Sequence, residues 1–392
     1  MRTFGTQATG IRTPIISEGD NLPEIIVDSV MKYCEESGAS IRDTDIIGVT
    51  EAVVARAQGN YATVEQIAAD IRQKFPSGAV GIVFPILSRN RFSVLLKGFS
   101  AGADKLYIQL SYPSDEVGNR IISCNQIHKA GINPYTDSFT EQEFRTQFGD
   151  LKHEFTAIDY LELYKNTGNN TELILSNDPR KILKHTKNVI AADIHSRDET
   201  KRRLLEGGAK TVYSLDEILN KSVNGSGYNE KYGLLGSNKA TEDKVKLFPR
   251  SCEEFVLEVQ KLFLDRTGAK VEVLIYGDGA FKDPVGKIWE LADPVVSPAF
   301  TSGLSGIPNE LKLKYIADNE LASKRGPDAR EAMIQRIRGK QLNLMGKAEA
   351  EGTTPRRLSD LIGSLCDLIS GSGDKGTPVI LIKGYFDNYA NE

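Results

Sequence analysis

The sequence has few of the residues from which metal clusters and disulfide scaffolds are built. It contains four cysteines, four histidines and one tryptophan in 392 residues. Cys34, Cys124, Cys252 and Cys366 have no CxxC spacing, which argues against a zinc knuckle or a disulfide framework and favours a reducing compartment. The histidines are widely spaced, so the sequence does not predict a histidine-based metal cluster.

Long apolar runs and an excess of charge of one sign are also missing. No apolar run approaches the roughly 20 residues of a membrane span, and the amino terminus shows no basic-then-apolar signal. The 49 basic and 53 acidic residues give a net charge of −4, which does not indicate a general binder of nucleic acid or anionic membranes. We therefore expect a soluble cytoplasmic protein with no nucleic-acid or membrane partner.

The length and the order of apolar segments predict a mixed α/β protein. At 392 residues with 40% hydrophobic content, the chain suits two or three domains. Between residues 62 and 225, short β runs alternate with helical patterns, which predicts a largely parallel, doubly wound layer. The β runs are 79–87, 104–112, 171–176, 188–194 and 210–215, and the helical patterns include 115–131 and 197–208.

The first sixty residues predict a helix and then a strand that leads into a second helix. Pro23 suits the first turn of the helix and Gly38 its end. The β-branched run Ile46–Thr50 is followed by an Ala-rich segment with Glu51 and Arg56. We expect these two residues to lie where the strand leads into the helix. A solvated carboxylate that caps the helix is the alternative for Glu51.

The segment VEVLIYGDGAFKDP carries the first candidate for a functional carboxylate. Val271–Tyr276 predicts a buried strand, and Gly277, Asp278 and Gly279 mark the turn after it. Ligands of open α/β sheets bind at the carboxyl ends of strands, and bare backbone lets a phosphate or metal approach. Asp278 is the candidate, and the alternative is a tight turn in which it bonds only its own backbone.

Two strand ends in the central region carry further candidates. Arg89 and Arg91 follow a predicted strand and suit a carboxylate or phosphate, although exposed arginines are common. Ser114, Asp115 and Glu116 follow the next strand and read as a helix start, for which an ordinary amino-terminal cap is the alternative.

Several segments resemble, in order, those of the F(420)-0:gamma-glutamyl ligase family. TPIISEGDNL is similar to its PLI-EGD segment, TEAVVARAQGN to VVSKAEG, GDGAFKDP to SDTFGRP and GLSGIP to GVAGI. ADNELAS and SGSGDKGTPVILIKGY are similar to its ADELAS and MGKADGIPVVLVRG segments, and the spacing of Gly233, Ser237 and Asn238 before KLFP also agrees. The resemblance covers roughly residues 10–60 and 230–392, so 62–225 reads as an enlarged insertion.

The resemblance implies a ligase core built from residues 1–61 and 226–392, with an inserted α/β domain at 62–225 and a homodimeric assembly. It implies that GTP or ATP activates a carboxylate as an acyl phosphate, which the amine of L-glutamate attacks. The expected metal is Mg or Mn, with K as a further candidate ion. We expect the insertion to choose the acceptor, and a dimerisation or stability module is the alternative.

Site residues carry over by their place in the matched segments. Asp278 falls on the principal metal aspartate, Asp278 and Arg56 are the catalytic candidates, and Asp374 is a second metal candidate. Arg89 and Arg91 remain the candidates for a substrate carboxylate. The expected nucleotide contacts are Pro14, Ile15, Ile16, Ser17, Glu51, Arg56, Asn238, Ser372, Gly373 and Asp374.

Two positions depart from the family pattern. Leu235 stands where the family has a metal-ligating aspartate, and Gly279 stands where it has threonine after the metal aspartate. Leucine offers no oxygen to Mg or Mn. Either another acid completes the site or metal binding has been lost; the candidate acids are Glu51, Glu242, Asp283 and Asp374.

Three functions follow from this sequence. The first is nucleotide-dependent γ-glutamyl ligation of a small carboxylate acceptor. The second is a folate-type polyglutamylating ligase on the same scaffold. The third, which the two departures motivate, is a nucleotide- or metabolite-binding protein without catalysis.

Overall fold

The computed structural model describes residues 3–76, 78–149, 151–153, 157–278, 295–351, 353, 356–370 and 374–391. The chain forms two compact units. Unit 1 comprises Met1–Val54 and Ser251–Glu392, and unit 2 comprises Ala55–Arg250. Assigning a ligase core to 1–61 and 226–392 and an acceptor domain to 62–225 remains a functional prediction.

Strands and helices are numbered here in chain order. The strands are β1 Gln7–Ile11, β2 Ile46–Thr50, β3 Tyr61–Thr63, β4 Ala79–Val83, β5 Lys105–Leu110, β6 Ser138–Thr140, β7 Thr171–Ser176, β8 Asn188–Ala191, β9 Thr211–Ser214, β10 Asn238–Lys239, β11 Lys244–Lys246, β12 Glu272–Asp278, β13 Val295–Phe300 and β14 Val379–Lys383. The α-helices are α1 Leu22–Ser37, α2 Glu51–Ala57, α3 Val64–Lys74, α4 Arg91–Gly102, α5 Cys124–Lys129, α6 Glu141–Phe148, α7 Tyr160–Lys165, α8 Arg197–Glu206, α9 Cys252–Thr267, α10 Leu313–Asn319, α11 Gly326–Arg338 and α12 Leu358–Ile369. The mixed α/β class predicted from the sequence is confirmed.

Unit 1 is built on a five-stranded sheet with the order β1-β14-β2-β12-β13. Strands β2 and β12 are parallel, and the other neighbours are antiparallel. Helix α12 covers the sheet with Ile362 and Cys366, which pack in one cluster with Ile46, Leu274 and Ile380. These strands are rich in β-branched residues because a central strand under a helix buries its side chains.

The predicted first helix is confirmed as α1. A proline lies in its first turn, and Gly38 ends it in the left-handed region with φ 70°. Glycine adopts this conformation without a Cβ clash, which explains the stop. Helix α9 packs against β12 and α1, and its Arg266 pairs with Glu24 and Asp28 of α1.

Unit 2 contains a six-stranded sheet with the order β6-β7-β5-β4-β8-β9. Five of these strands are parallel, and β6 pairs antiparallel with β7 at one edge. From β4 in the middle, the chain moves outward through β5 to β7, then returns to the other side of β4 for β8 and β9. The predicted largely parallel, doubly wound layer is confirmed, and its switch point lies between β4 and β8.

The predicted helix over residues 115–131 is wrong in its first half. Helix α5 begins only at Cys124, and Ser114, Asp115 and Glu116 do not start a helix. The Asp115 carboxylate accepts hydrogen bonds from the backbone NH groups of Val117 and Asn119, at 3.0 and 2.9 Å. An aspartate that bonds its own backbone in this way stabilises a turn in competition with a helix.

A three-stranded sheet, β10-β11-β3, completes the sheets described for unit 2. The buried Asn60 connects the start of β3 to the segments around Tyr228 and Phe248. Its side-chain amide donates to the carbonyl oxygens of both residues and accepts from the Tyr228 NH. Within the described ranges, no helix has the length and apolar character needed to cross a membrane.

Candidate active site at one edge of the five-stranded sheet

The strand ends of unit 1 bring several predicted site segments to one edge of its sheet. Parallel β2 and β12 both end there, since Thr50 is paired with Tyr276 two residues before Asp278. Strand β14 begins at the same edge because Val379 is paired with Val49, and β1 ends there because Ile11 is paired with Val379. With neighbouring strands about 4.8 Å apart, the ends of β1 and β12 lie about 14 Å apart across the sheet. This span suits a nucleotide-sized ligand.

Glu51 follows β2 directly and is buried at this edge, with 5% of its surface exposed. Its side chain lies over Gly277 of β12. A Cβ at position 277 would lie only 2.1 Å from Glu51 Cγ and 3.4 Å from Glu51 Cδ. Glycine at 277 therefore leaves the space that the Glu51 side chain fills, and the alternative of a solvated Glu51 is wrong.

A β-bulge fixes the end of β12. The register between β12 and β13 shifts between Ile275 and Gly277, so that β13 carries an extra residue. Ser297 in this stretch donates a hydrogen bond through its hydroxyl to the Ile275 carbonyl oxygen at 2.7 Å. Bulges bend a strand and redirect its side chains, and they are frequent beside active sites.

Asp278 is the last residue of β12, where the sequence placed it at a strand end. Its side chain and the following residues 279–294, with Gly279 and Asp283, lie outside the described part of the structure. The metal role of Asp278 therefore remains a prediction that is supported by its position at the sheet edge.

The segment after β1 approaches the segment before β14. Arg12 donates through Nε to the Lys375 carbonyl oxygen at 3.3 Å. In the predicted nucleotide segment Pro14–Ser17, Ile16 is buried and Ile15 is 88% exposed. The Ser17 NH donates to Asp20 Oδ2 at 2.6 Å, which closes the turn that leads to α1. Ile16 thus anchors the segment in the protein interior, whereas its neighbour Ile15 faces solvent.

The glycine-rich segment 370–376 connects α12 to β14 at the same edge. Asp374 is exposed, while Gly371, Ser372 and Gly373 lie outside the described residues. Strand β14 lies between β1 and β2, so it is a central strand and the alternative of a turn before an edge strand is wrong. The segment is therefore held at both ends, by a helix and by an interior strand.

The remaining family-matched residues lie in unit 2. Arg56 is exposed on α2, and Asn238 begins β10 in a pair with Lys246. Leu235 is 1% exposed, so an apolar side chain fills the position of the family aspartate. Glu242 forms ion pairs with Lys239 and Lys97, and the hydrogen bond from Lys239 lowers its pKa.

Arg89 is exposed in the loop before α4, and its carbonyl oxygen accepts a hydrogen bond from the Ser93 hydroxyl at 2.6 Å. Arg91 is the first residue of α4, and its side chain lies outside the described part of the structure. Their predicted role in carboxylate binding stays a prediction.

Near the switch point of unit 2 lies a group of buried and half-buried carboxylates; sequence reasoning named Asp115 and Glu116 as a helix start and missed their tertiary partners and Asp193. Asp115 accepts from the Leu87 NH at 2.9 Å, and Glu116 accepts from the backbone NH groups of Ile194 and His195. These bonds connect the loop after β5 to the loops after β4 and β8. Burial raises the pKa of both carboxyl groups, although these hydrogen bonds act in the opposite direction. Their partners are distant in sequence, so no local pattern signals this role.

Asp193, after β8, is the most buried of these acids, with 2% of its surface exposed. Thr200 donates to its Oδ2 at 2.7 Å, and its buried Oδ1 has no hydrogen-bond partner among the described residues. Burial raises the pKa of Asp193 to about 7, with a further upward contribution from Glu116. The NVIAADI pattern predicted the strand and gave no sign of this acid.

Among the described residues, which do not include the side chain of Asp278, no three or more His, Cys, Asp or Glu side chains are arranged to hold a metal. Glu51 offers the hard oxygen donor that Mg or Mn prefers, and it packs against Gly277, the residue before Asp278. Glu51 and Asp278 remain the candidates at this edge for the divalent metal that the family implies.

The fold and this edge define a mixed α/β protein with a candidate ligand site at the strand ends of its five-stranded sheet. The family model described as F420-0:Gamma-glutamyl ligase matches residues 10–384. The chain belongs to this family, which confirms the resemblance seen in the sequence.

The other comparisons add no functional argument. No match is found among curated proteins. Among solved structures, the chain is similar to the biosynthetic arginine decarboxylase of Campylobacter jejuni at 12% identity, with coverage of 91% of this chain and 68% of that one. The TM-score is 0.13, so this similarity carries no conclusion about fold or activity.

Proposed function

We propose that the protein joins L-glutamate to a small carboxylate acceptor in a γ-glutamyl amide bond, with GTP or ATP as the energy source. The family match over residues 10–384 carries this proposal. The convergence of the Pro14–Ser17 segment, Glu51, Asp278 and the segment before β14 at one sheet edge supports it, because these are the segments expected to contact nucleotide and metal.

The proposed reaction has two steps. An acceptor carboxylate oxygen attacks the γ-phosphorus, the bond to the β-phosphate breaks, and the nucleoside diphosphate leaves. The neutral amine of glutamate then attacks the acyl carbon, phosphate leaves with the bonding electron pair, and the amine loses a proton. The product is an amide, which is a γ-glutamyl amide where the activated carboxylate is the γ-carboxyl of a glutamate at the end of the acceptor, and each step transfers a group without oxidation or reduction.

The candidate residues have distinct roles in this proposal. Backbone NH groups of the glycine-rich segment and of Ile15, within Pro14–Ser17, bind phosphate oxygens, as bare backbone in turns commonly does. Asp278 and Glu51 would hold Mg or Mn, and Asp374 is a further candidate. When bound, the metal neutralises phosphate charge and orients the phosphoryl group. Arg56 is proposed to stabilise the charge on the transferring group.

The acceptor and the assembly are part of the proposal. We propose that unit 2 contributes acceptor recognition through Arg89 and Arg91, and that the protein acts as a homodimer. A folate-type acceptor is the second candidate, because a folate ends in a glutamate carboxylate that undergoes the same chemistry.

One observation favours the alternative function, that of a nucleotide- or metabolite-binding protein without catalysis. Leu235 is buried and apolar where the family has a metal-ligating aspartate, so that oxygen is absent from unit 2. A protein that binds nucleotide and no longer transfers its phosphate would show this change.

The test is a conjugation assay. Purified protein is incubated with Mg or Mn, labelled glutamate, GTP or ATP and a panel of carboxylate acceptors, and products are identified by mass. We expect an amide conjugate and one nucleoside diphosphate per conjugate. Nucleotide binding without conjugate for any acceptor would favour the non-catalytic function.

A further inference from the structure

We propose that Arg356 in unit 1 is the cationic group of a binding site for a small oxyanion, which is either phosphate or the carboxylate of a small acid. The site lies beside α12, on the side of that helix away from the five-stranded sheet. It goes beyond the proposed ligase function and does not depend on it, because it rests on the surroundings of one buried guanidinium group.

Arg356 is buried without a counter-charge. It is 7% exposed, and its Nη1 atom has no hydrogen-bond partner among the described residues. Its Nη2 atom donates one long bond, of 3.4 Å, to the Ser364 hydroxyl oxygen, and no carboxylate of the described residues lies within ion-pair distance of the guanidinium. A guanidinium group carries five N–H donors and does not lose its charge in proteins, so burial cannot be offset by deprotonation.

Two buried acids of unit 1 show the compensation that Arg356 lacks. Asp45 is paired with Lys383 at 3.5 Å. Glu272 accepts hydrogen bonds from the Thr301 hydroxyl and from the Gly303 NH. Buried arginines are ordinarily paired in the same way. The expected partner of Arg356 is therefore an anion from outside the chain.

The start of α12 adds further positive potential. The helix begins at Leu358 without a side-chain cap, and the NH groups and dipole of such an end favour an anion. Arg356 and Arg357 immediately precede it, and Asp360 in the first turn offsets part of their charge. The Ser364 hydroxyl donates to the Asp360 carbonyl oxygen at 2.8 Å, so towards Arg356 it acts only as an acceptor. The two guanidinium groups and the helix end together outweigh the one carboxylate.

Helix α12 itself separates this site from the strand ends of the sheet. Ile362 and Cys366 pack with the sheet residues, and Ser364 is two positions from each of them. Because each residue turns an α-helix by about 100°, Ser364 lies on the opposite side of the helix. Arg356 contacts that side, whereas the carboxyl end of α12 leads to the glycine-rich segment 370–376.

The guanidinium group sets the chemistry of the ligand. Its planar fork matches the oxygens of a phosphate or a carboxylate, which accept two parallel N–H bonds. Protein atoms enclose Nη1, so the site suits a small anion and not a whole nucleotide. Phosphate and carboxylate share this chemistry, and the experiment separates them.

The experiment measures thermal unfolding of the full chain by calorimetry, with the transition of each unit fitted separately. The protein is dialysed into chloride buffer and then receives phosphate or glutarate at matched ionic strength. Samples equilibrate until the transition no longer changes, because the guanidinium group is enclosed. Isothermal titration gives the Kd. At ten times this Kd, we expect phosphate or glutarate to raise the unit 1 transition of the parent by about 3 to 5 °C.

Variants locate the response. Arg356→Met should weaken anion binding by at least roughly tenfold, since a charged hydrogen bond is lost. Without added anion, its unit 1 should melt at or above the parent temperature, because an uncompensated buried charge has been removed. Arg356→Lys keeps the charge without the fork and should keep a weaker response. Arg357→Met, at the half-buried neighbouring arginine, is the matched control and should respond as the parent does.

A further variant distinguishes this site from the sheet edge. Gly371→Val combined with Gly373→Val alters the segment proposed to bind nucleotide phosphate, and it should keep the response that Arg356→Met loses. If the valine variant loses the response and Arg356→Met keeps it, the anion binds at the sheet edge and the inference is overturned.

Other results also overturn the inference. One is a parent transition that neither anion shifts relative to chloride. Another is an Arg356→Met protein that is unfolded, or less stable than the parent, without added anion, because Arg356 would then be a structural support of α12. The proposed function is tested separately. An anion response that depends on Arg356, together with no conjugate from any acceptor, would refute the ligase proposal and leave this site in place.

Discussion

Replacing Asp193 by asparagine should remove a pH-dependent loss of stability from unit 2. Asp193 is 2% exposed, and burial raises its pKa from an ordinary value of 3.8 to about 7. The folded protein therefore keeps this carboxyl neutral at a pH where the unfolded chain has already ionised. Asparagine is similar in shape, cannot ionise, and can still accept the Thr200 hydrogen bond through its amide oxygen.

The sign and the magnitude follow from proton linkage. Below about pH 4 the carboxyl is protonated in both states, and its ionisation does not affect folding. Between pH 4 and 7 the unfolded state alone releases the proton, which destabilises the fold by about 1.4 kcal/mol per pH unit. Above about pH 7 both states are ionised and the loss levels off near about 4 kcal/mol. From pH 5 to pH 8, the advantage of Asp193→Asn over the parent should thus grow by about 3 kcal/mol.

The assay is calorimetric unfolding of the full chain at pH 5, 6, 7 and 8, with the transition of each unit fitted separately. Asp198→Asn is the matched control, because Asp198 is an exposed acid in the first turn of α8. Burial also raises the pKa of Asp115 and Glu116; because the Glu116 charge contributes to the raised pKa of Asp193, the difference between variant and parent includes this coupling. The reasoning is refuted if the difference between Asp193→Asn and the parent is the same at pH 5 and pH 8.

Three other variants test which segments bind metal and nucleotide and which bind glutamate or the acceptor. Asp278→Asn should weaken metal and nucleotide binding, measured by calorimetry, because it removes an anionic oxygen at the sheet edge. Replacing both Gly371 and Gly373 by valine should lower GTP and ATP affinity, measured by fluorescence titration, because Cβ atoms block close approach to phosphate. Arg89→Ala with Arg91→Ala should weaken glutamate or acceptor binding by roughly tenfold or more and leave nucleotide affinity nearly unchanged, since each charged contact contributes about 1.5 to 3 kcal/mol.

Each of these three predictions would be contradicted by a particular result. Parent-like metal and nucleotide affinity in Asp278→Asn would remove that residue from the site. Unchanged GTP and ATP affinity in a folded valine variant would mean that the glycine-rich segment does not bind phosphate. If the double arginine variant binds glutamate and acceptor as before, the central region is a structural or dimerisation module.

Most strands and the family could be predicted because their signals are local. The apolar runs before Gly277 and in the central region form strands wherever they are buried, and Gly38 ends its helix by its own backbone preference. The stretch from Asp115 was mispredicted for the opposite reason. Its helical pattern was overridden by hydrogen bonds from its own turn and from Leu87, which is distant in sequence.

The sequence alone determined the candidate site residues: Glu51 and Asp278 at strand ends, Leu235 in place of the family's acid, and a glycine-rich segment before β14. Only the tertiary structure decided which of them meet. Strand pairing brings Glu51 beside Gly277 and places the start of β14 next to the end of β2, although these segments are hundreds of residues apart. It also gives Asp193 a perturbed pKa, because burial is a property of the packed fold. Backbone preferences act between neighbours in sequence, whereas desolvation and charge act between neighbours in space.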